Sequence, residues 1–437
     1  HAYRLDDHTP YLYMTKDYGN SGTSLAGKLP QDDFLRVVRE DPHVPGLLYV
    51  GSEAQVRYSR DFGETWRSFK LNMPTVAIAD MHVKGNDLVV GTSGRSCWIF
   101  DDLTPLRSFP AIPLKKGAKS DVKEPHLFPP APVVRWRNHG ENYTLEDRIP
   151  GDNPPKGVIL NYYLPTKPKE ELTLEIFDAK GTQMQKLSSK KADPEAEEDD
   201  PDAPWSIFKP TVLPKDKGMN RVAWNLEMAG PTIIPGAKND YGVPHRGPMV
   251  LPGLYTLKLH VDGTTLTQTV RVEPDPRFKA SPSELANAHK VALQLRDDIT
   301  KVSKIVTALQ SVRTQLKGRI ELAKDDPKAK EWIKDATATI KKLDALEEEL
   351  HNPKAEVSYD ILAKKGGAKL YSQLTPLYND VKHSDAAVTQ GMREVYVEHA
   401  RELMRLSAMW DKLRTGDITR LNEEARKLEM PTIDVPR

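Results

Sequence analysis

The residues of this 437-residue chain that could carry chemistry are few, and their spacing sorts them quickly. Asp101 and Asp102 stand side by side, with Arg95 shortly before them. Two carboxylates about 5–10 Å apart across a sugar would perform glycosidic acid–base or nucleophilic work. Neighbours on a strand point to opposite sides, however, so D-D-x-T-P reads more simply as the exit turn of a strand. Asp61 lies in Ser59-Arg60-Asp61-Phe62-Gly63-Glu64-Thr65-Trp66. In that pattern the Asp side chain accepts backbone amides in a hairpin turn, Gly63 takes a positive φ, and Trp66 seals the hairpin against its neighbour. Cys97 is the single cysteine and has no intramolecular disulfide partner. Between Ser96 and Trp98 in an expected inner strand it reads as a small buried apolar residue rather than a nucleophile. The twelve histidines are scattered, without metal-ligand spacing. Neither a phosphate-binding loop nor a nucleophile elbow is present. The expectation is therefore no catalytic residue, no cofactor and no metal.

What positions these residues is a repeat. A weaker copy of the turn, Thr15-Lys16-Asp17-Tyr18-Gly19, precedes the first, and Leu47-Leu48-Tyr49-Val50-Gly51-Ser52 resembles Leu88-Val89-Val90-Gly91-Thr92-Ser93. A period of roughly 40–45 with several short strands per unit is the signature of propeller blades. Residues 34–39, 47–51, 55–59 and 65–70 would supply one four-stranded blade, and 76–83, 87–92 and 96–101 three strands of the next. Residues 11–27 would be the outer half of a preceding one. A propeller closes with about four to eight blades. Two ragged ones would leave open edges, so the remaining blades are expected upstream in the same polypeptide or on a second, bound chain.

Composition divides the rest. Of 35 prolines, 29 precede residue 281, as do 21 of 26 glycines, which predicts strands and turns first and helices afterwards. Prolines from Pro105 to Pro132 suggest a connector over 104–132. Alternating segments at 158–164, 172–178, 221–226, 255–261 and 267–272 predict a small β-sandwich over 133–275. It is interrupted by an acidic insert at 188–204, read as a solvated disordered loop rather than a calcium site. Ser281-Pro282-Ser283-Glu284 is a complete helix start. Leu285, Ala288, Ala292, Leu295, Ile299, Val302, Val306, Leu309, Val312, Leu316 and Ile320 then recur at helical steps. Asp326-Pro327 opens a second helix, and more are expected at 368–382, 387–414 and 417–428, the last capped by Asp417. The stripes would satisfy one another as a helical bundle over 281–430, with self-association as the alternative. With 63 basic against 62 acidic residues, net charge +1, no global field favours nucleic acid. No run reaches the roughly 18 apolar residues of a membrane span.

The S-x-D-x-G-x-T-W box resembles the Asp-box, or BNR repeat, of sialidase-like and sortilin-like propellers. The run from Leu88 to Arg107 looks like the last blade of exported bacterial BNR-repeat proteins, often labelled glycosyl hydrolases. Gly218 to Asn225 and Pro252 to Leu257 resemble Ig-like modules of the flagellar hook-cap type. The resemblance implies closing propeller blades over 1–103, an Ig-like sandwich and a helical C-terminus, in an extracytoplasmic protein. It gives Ser59, Asp61, Gly63, Thr65, Trp66, Asp17 and Gly19 structural roles in peripheral turns. Function is then expected to be non-catalytic binding or scaffolding toward a protein or glycan partner. The alternative is the C-terminal part of a glycoside hydrolase whose carboxylates lie mainly upstream, with Arg95, Asp101 and Asp102 as the polar candidates in this chain.

Overall fold

The computed structural model describes residues 1–108, 123–137, 151, 153–190, 211–242, 244–363 and 365–436. The chain runs from small antiparallel sheets, through two sheets that share a core, to a helical region. The expected acidic insert lies almost entirely outside the described residues, as does the middle of the proline-rich connector.

The first hairpin pairs β1 (Tyr13–Met14) with β2 (Thr23–Ser24). A four-stranded meander follows: β3 (Leu35–Glu40), β4 (Leu48–Ser52), β5 (Val56–Ser59) and β6 (Arg67–Ser68). The next meander has three strands, β7 (Ile78–Lys84), β8 (Asp87–Thr92) and β9 (Cys97–Phe100). The repeat offset is visible in three dimensions, because β4 and β8 are the second strands of successive sheets. The sheets meet where β3 lies beside β7: Arg39 donates through Nε to the Met81 carbonyl (2.8 Å) and pairs with Asp80 (2.5 Å). Leu47, Tyr49, Val56, Ile78, Met81, Leu88 and Val90 form their common core. A short helix, α1 (Thr104–Ser108), locks both from below through Arg107, which reaches Asp41 (2.9 Å), Asn86 (2.7 Å) and the Gly85 carbonyl (2.9 Å).

The connector is more ordered than its prolines imply. Besides α1, its far end forms β10 (His126–Leu127), which pairs with β12 (Val158–Leu164), itself paired to β15 (Gly218–Trp224). The second sheet has the order β11 (Val133–Arg135), β17 (Thr264–Pro274), β16 (Gly253–Val261), β13 (Thr173–Phe177), β14 (Gln183–Ser188). All its pairings are antiparallel except β11 with β17. Strands β10, β11 and β14 are too short, or too polar on one side, to stand out as periodic segments. Leu160, Leu174, Ile176, Leu257, Leu259 and Val270 fill the space between the two sheets. The Gly218 and Pro252 motifs converge there, with Trp224 edge-on to Tyr255 at 5.7 Å.

Helix α2 (Pro282–Ala323) begins with the reciprocal cap read from its sequence: Ser281 Oγ accepts the Glu284 amide (3.2 Å) and Glu284 accepts the Ser281 amide (2.8 Å). Its buried residues follow the expected stripe from Ala288 to Leu316, while Leu285 and Ile320 lie at its margins. Helix α3 (Lys330–Leu350) packs on it after a 3-10 turn capped by Asp326. Then come α4 (Asp360–Ala363), α5 (Leu370–His383) and α6 (Gln390–Lys412). Asp417 does not cap a new helix. The chain passes through a π-helical turn, Leu413–Ile418, straight into α7 (Thr419–Lys427). Asp417 instead accepts from Lys342 Nζ at 3.0 Å, so a tertiary ion pair takes the residue that local rules assign to a cap. The stripes of α2, α3, α5 and α6 bury one another, and Ile234, from the loops of the middle sheets, is part of the same core. No helix among the described residues is long and apolar enough to cross a membrane.

Candidate functional site

The two box turns have the same hydrogen bonds. In the first, Asp17 Oδ1 accepts the Thr15 hydroxyl (2.8 Å) and the Ser21 amide (2.9 Å), its Oδ2 accepts the Ser21 hydroxyl (2.6 Å), and Thr15 Oγ1 accepts the Gly19 amide (2.8 Å). In the second, Asp61 accepts the Ser59 hydroxyl (2.7 Å), the Thr65 amide (2.8 Å) and the Thr65 hydroxyl, while Ser59 Oγ accepts the Gly63 amide (2.8 Å). Both glycines have positive φ, +96° and +86°, and so do the residues before them, Tyr18 and Phe62. Ser21 therefore does what Thr65 does, four residues after its aspartate, which a strict comparison of residue letters overlooks.

The hydroxyl and amide of Ser21, with the Thr15 hydroxyl, hold the Asp17 carboxyl down to about 2. Partial burial pushes Asp61 up, but the bonds from Thr65 and Ser59 outweigh it and leave that carboxyl below the usual range. A carboxylate so fully engaged is an acceptor of turn amides, without capacity for proton transfer near neutral pH. The copies differ in packing. Trp66 donates through Nε1 to the Leu25 carbonyl at 3.0 Å, joining the second box to the first hairpin, and a Cβ on Gly63 would lie 2.9 Å from the Leu25 side chain. Nothing lies within 4 Å of a Cβ on Gly19.

Asp101 and Asp102 follow β9 directly and face the middle sheets. Asp102 adopts a left-handed φ of +67°. Its amide donates to Asp87 (3.0 Å), its Oδ1 accepts the Thr104 amide (3.1 Å), and its Oδ2 accepts from Asn161 Nδ2 on β12 (2.7 Å). Asp101 has its Oδ2 3.9 Å from the Arg221 guanidinium of β15. Burial raises its carboxyl, against the pull of Arg221. Arg95 stands apart: it is exposed on the β8–β9 loop, where its carbonyl accepts from Trp98 Nε1 (3.0 Å). The three residues thus do not converge, and the two aspartates serve a junction between sheets. Cys97 is exposed, not buried, because β9 is the edge of its sheet. Among the described residues no group of His, Cys, Asp and Glu is placed to hold a metal ion.

The densest set of buried charge was not read from the sequence. Strand β11 delivers Arg135 and the chain just beyond it delivers Arg137, two residues apart and so on one side of an extended segment. Both reach Asp385, at the end of α5: Arg135 through Nη1, Arg137 through Nε at 2.9 Å. Arg135 also donates to the Val250 carbonyl (2.8 Å) and Arg137 to the Lys382 carbonyl (2.7 Å). Beside them Arg246 forms a two-pronged pair with Glu227, and its carbonyl accepts from Tyr378 Oη (2.8 Å) and Lys382 Nζ (3.1 Å).

Lys382 is only 4% exposed. Burial, with Arg246 and Arg137 nearby and Glu227 opposing, lowers its ammonium to about 7. Burial likewise lowers His289 to about 4 and His383 to about 3. R-x-R on a short strand and K-H-x-D at a helix end are signals that could have found this cluster. Comparison of the chain with protein-family models, curated proteins and solved structures finds no match.

Proposed function

We propose that this chain is the non-catalytic, binding and scaffolding part of an exported Asp-box propeller protein. In this reading β3–β6 and β7–β9 are its closing blades, the two middle sheets are an Ig-like spacer, and the helices are its terminal platform. The observation that carries the reading is the repetition itself. Two successive meanders pack through their first strands, and two box turns repeat the same four-residue network of hydrogen bonds around Asp17 and Asp61. Open surface supports the same conclusion. Strand β9 has no neighbour on its outer side among the described residues, and Ile99 on it is 58% exposed. Tyr13 on β1 is 65% exposed. Isolated sheets do not tolerate such edges, and further blades, in the same polypeptide or a bound second chain, would cover them. Recognition of a protein or glycan would then fall to the loops of the complete propeller, with the buried junctions fixing its orientation.

The test is intact native mass of the protein purified from its source, with peptide sequencing of whatever accompanies it. A longer parent or a bound polypeptide rich in the same box supports the reading. A lone 49.1 kDa species that stays monodisperse when concentrated would sink it.

A further inference from the structure

Residues 430–436 form neither helix nor strand, yet the helices hold them as a bound peptide is held. Asn422 on α7 brackets Ile433: its Nδ2 donates to the Ile433 carbonyl (2.9 Å) and its Oδ1 accepts the Ile433 amide (2.6 Å). Gln315 on α2 does the same for Asp434, donating to its carbonyl (2.7 Å) and accepting its amide (2.8 Å). Arg319, one turn along α2, donates to the carbonyls of Pro431 (2.7 Å) and Thr432. All six of these bonds go to main-chain atoms, so the two carboxamides act as a neighbouring strand would. Arg319 also donates to the Gln315 carbonyl (3.0 Å) and Oε1 (3.3 Å), which steadies the amide that reads Asp434. The deeply seated side chain of this tail is Ile433, 4% exposed in the helical core, with Val435 packed against the same core. Pro431 and Pro436 bias the residues before them, Met430 and Val435, toward extended backbone, so the tail loses little freedom on binding.

The hinge into the tail is strained. The Glu429 amide donates to the Arg426 carbonyl (3.2 Å) and the Met430 amide to the Ala425 carbonyl (2.8 Å), the turn that closes helices around a left-handed residue, usually glycine. Here that residue is Glu429, at a φ of +52°, which its Cβ disfavours. Once the tail is released, Glu429 can return to the right-handed form and α7 can run on to Pro431.

We propose that the groove of α2 and α7 is an extended-peptide site that takes the tail of a second copy of this chain, two copies exchanging residues 430–436 to form a symmetric dimer. A tail from the second copy makes the same six bonds and buries the same isoleucine, while two Glu429 hinges relax. A tethered tail meets its own groove at about millimolar effective concentration, and relief at the hinges brings exchange below that range. This inference does not rest on the propeller reading.

The experiment is native mass spectrometry of the full chain, prepared once with natural and once with heavy nitrogen, then concentrated and incubated as a mixture. A dimer of mixed isotope mass is expected in wild type. Ile433→Asp should reduce it about tenfold or more, because the exchanged tail would carry a charge into an apolar seat. Monomer alone in wild type overturns the proposal, as does a mixed dimer unaffected by Ile433→Asp, which would place the contact elsewhere, at the open blade edges for example. Should Ile433→Asp fail to fold, Glu429→Gly decides, since glycine favours the closed hinge: its dimer fraction should fall about fivefold or more, and an unchanged fraction refutes exchange through this hinge.

Discussion

Among the described residues the middle sheets are joined to their neighbours at two places, and the two joints are built differently. Toward the N-terminal meanders the links are a single hydrogen bond from the buried Asn161 to the partly exposed Asp102, and a long, partly exposed pair of Arg221 with Asp101. Toward the helices Arg135, Arg137 and Asp385 are each under 9% exposed and bonded on several sides. Apolar packing continues across that second joint, since Ile234 belongs to the helical core. Exposed ion pairs contribute little, whereas breaking a buried pair leaves an uncompensated charge in a poorly solvated place. The contrast implies that the middle sheets and helices unfold as one cooperative unit, with the N-terminal sheets hinged on them.

The severest way to break this comparison is Asp385→Ala, which strands two buried guanidinium groups. It should cost about 3–5 kcal/mol in denaturant unfolding, and a loss under 1 kcal/mol would mean that the second joint is no stronger than the first.

Next in size is the pH response. Lys382 is lowered to about 7 in the folded state from the ordinary value near 10.4. The unfolded chain therefore binds the extra proton between these limits, and stability should rise with pH from about 7 to 10, by up to roughly 1.4 kcal/mol per unit. Below pH 7 the lysine is protonated in both states and its penalty is fully present. Lys382→Met should flatten that alkaline rise, and an unchanged slope would place its origin elsewhere. On the acid side, protonation of His289, His383 and Asp385 all works against the same joint.

At the first joint, Asn161→Ala removes one hydrogen bond to a carboxylate and should cost about 1–2 kcal/mol. It should speed amide exchange over residues 97–108 while leaving 133–137 unchanged, and equal acceleration at both segments would contradict the hinge. The smallest effect belongs to Arg221→Ala, within about 0.5 kcal/mol, because the pair is long and partly exposed. A larger loss would show that the first joint carries more than its exposure implies.

Legibility followed the range of the interaction. The Ser59 and Asp61 turn and the Ser281–Glu284 cap could be read directly, because each closes within a few residues. Seven strands of the two meanders lie within about two residues of where alternation places them. Ser21 was passed over because a hydroxyl at the right offset was matched by letter rather than by role. Cys97 reads as buried from sequence because an inner strand is expected there, whereas edge position, a property of the sheet, decides its exposure. Asp417 satisfies the local rule for a cap, yet Lys342 on another helix competes for it.

By itself, then, the sequence determined the Ser59–Thr65 turn, the Ser281 cap, the periodicity of the meander strands and of the long helix α2, and the order of sheets before helices. These depend on backbone geometry and on hydrogen bonds between near neighbours, which a short window of residues already contains. Only the tertiary structure decided that Arg135 meets Asp385 from 250 residues away, that Asp101 and Asp102 serve a joint, and that Lys382 loses its proton near neutrality. Desolvation and long-range charge pairing depend on which surfaces are brought together, and that sum is taken over the whole fold.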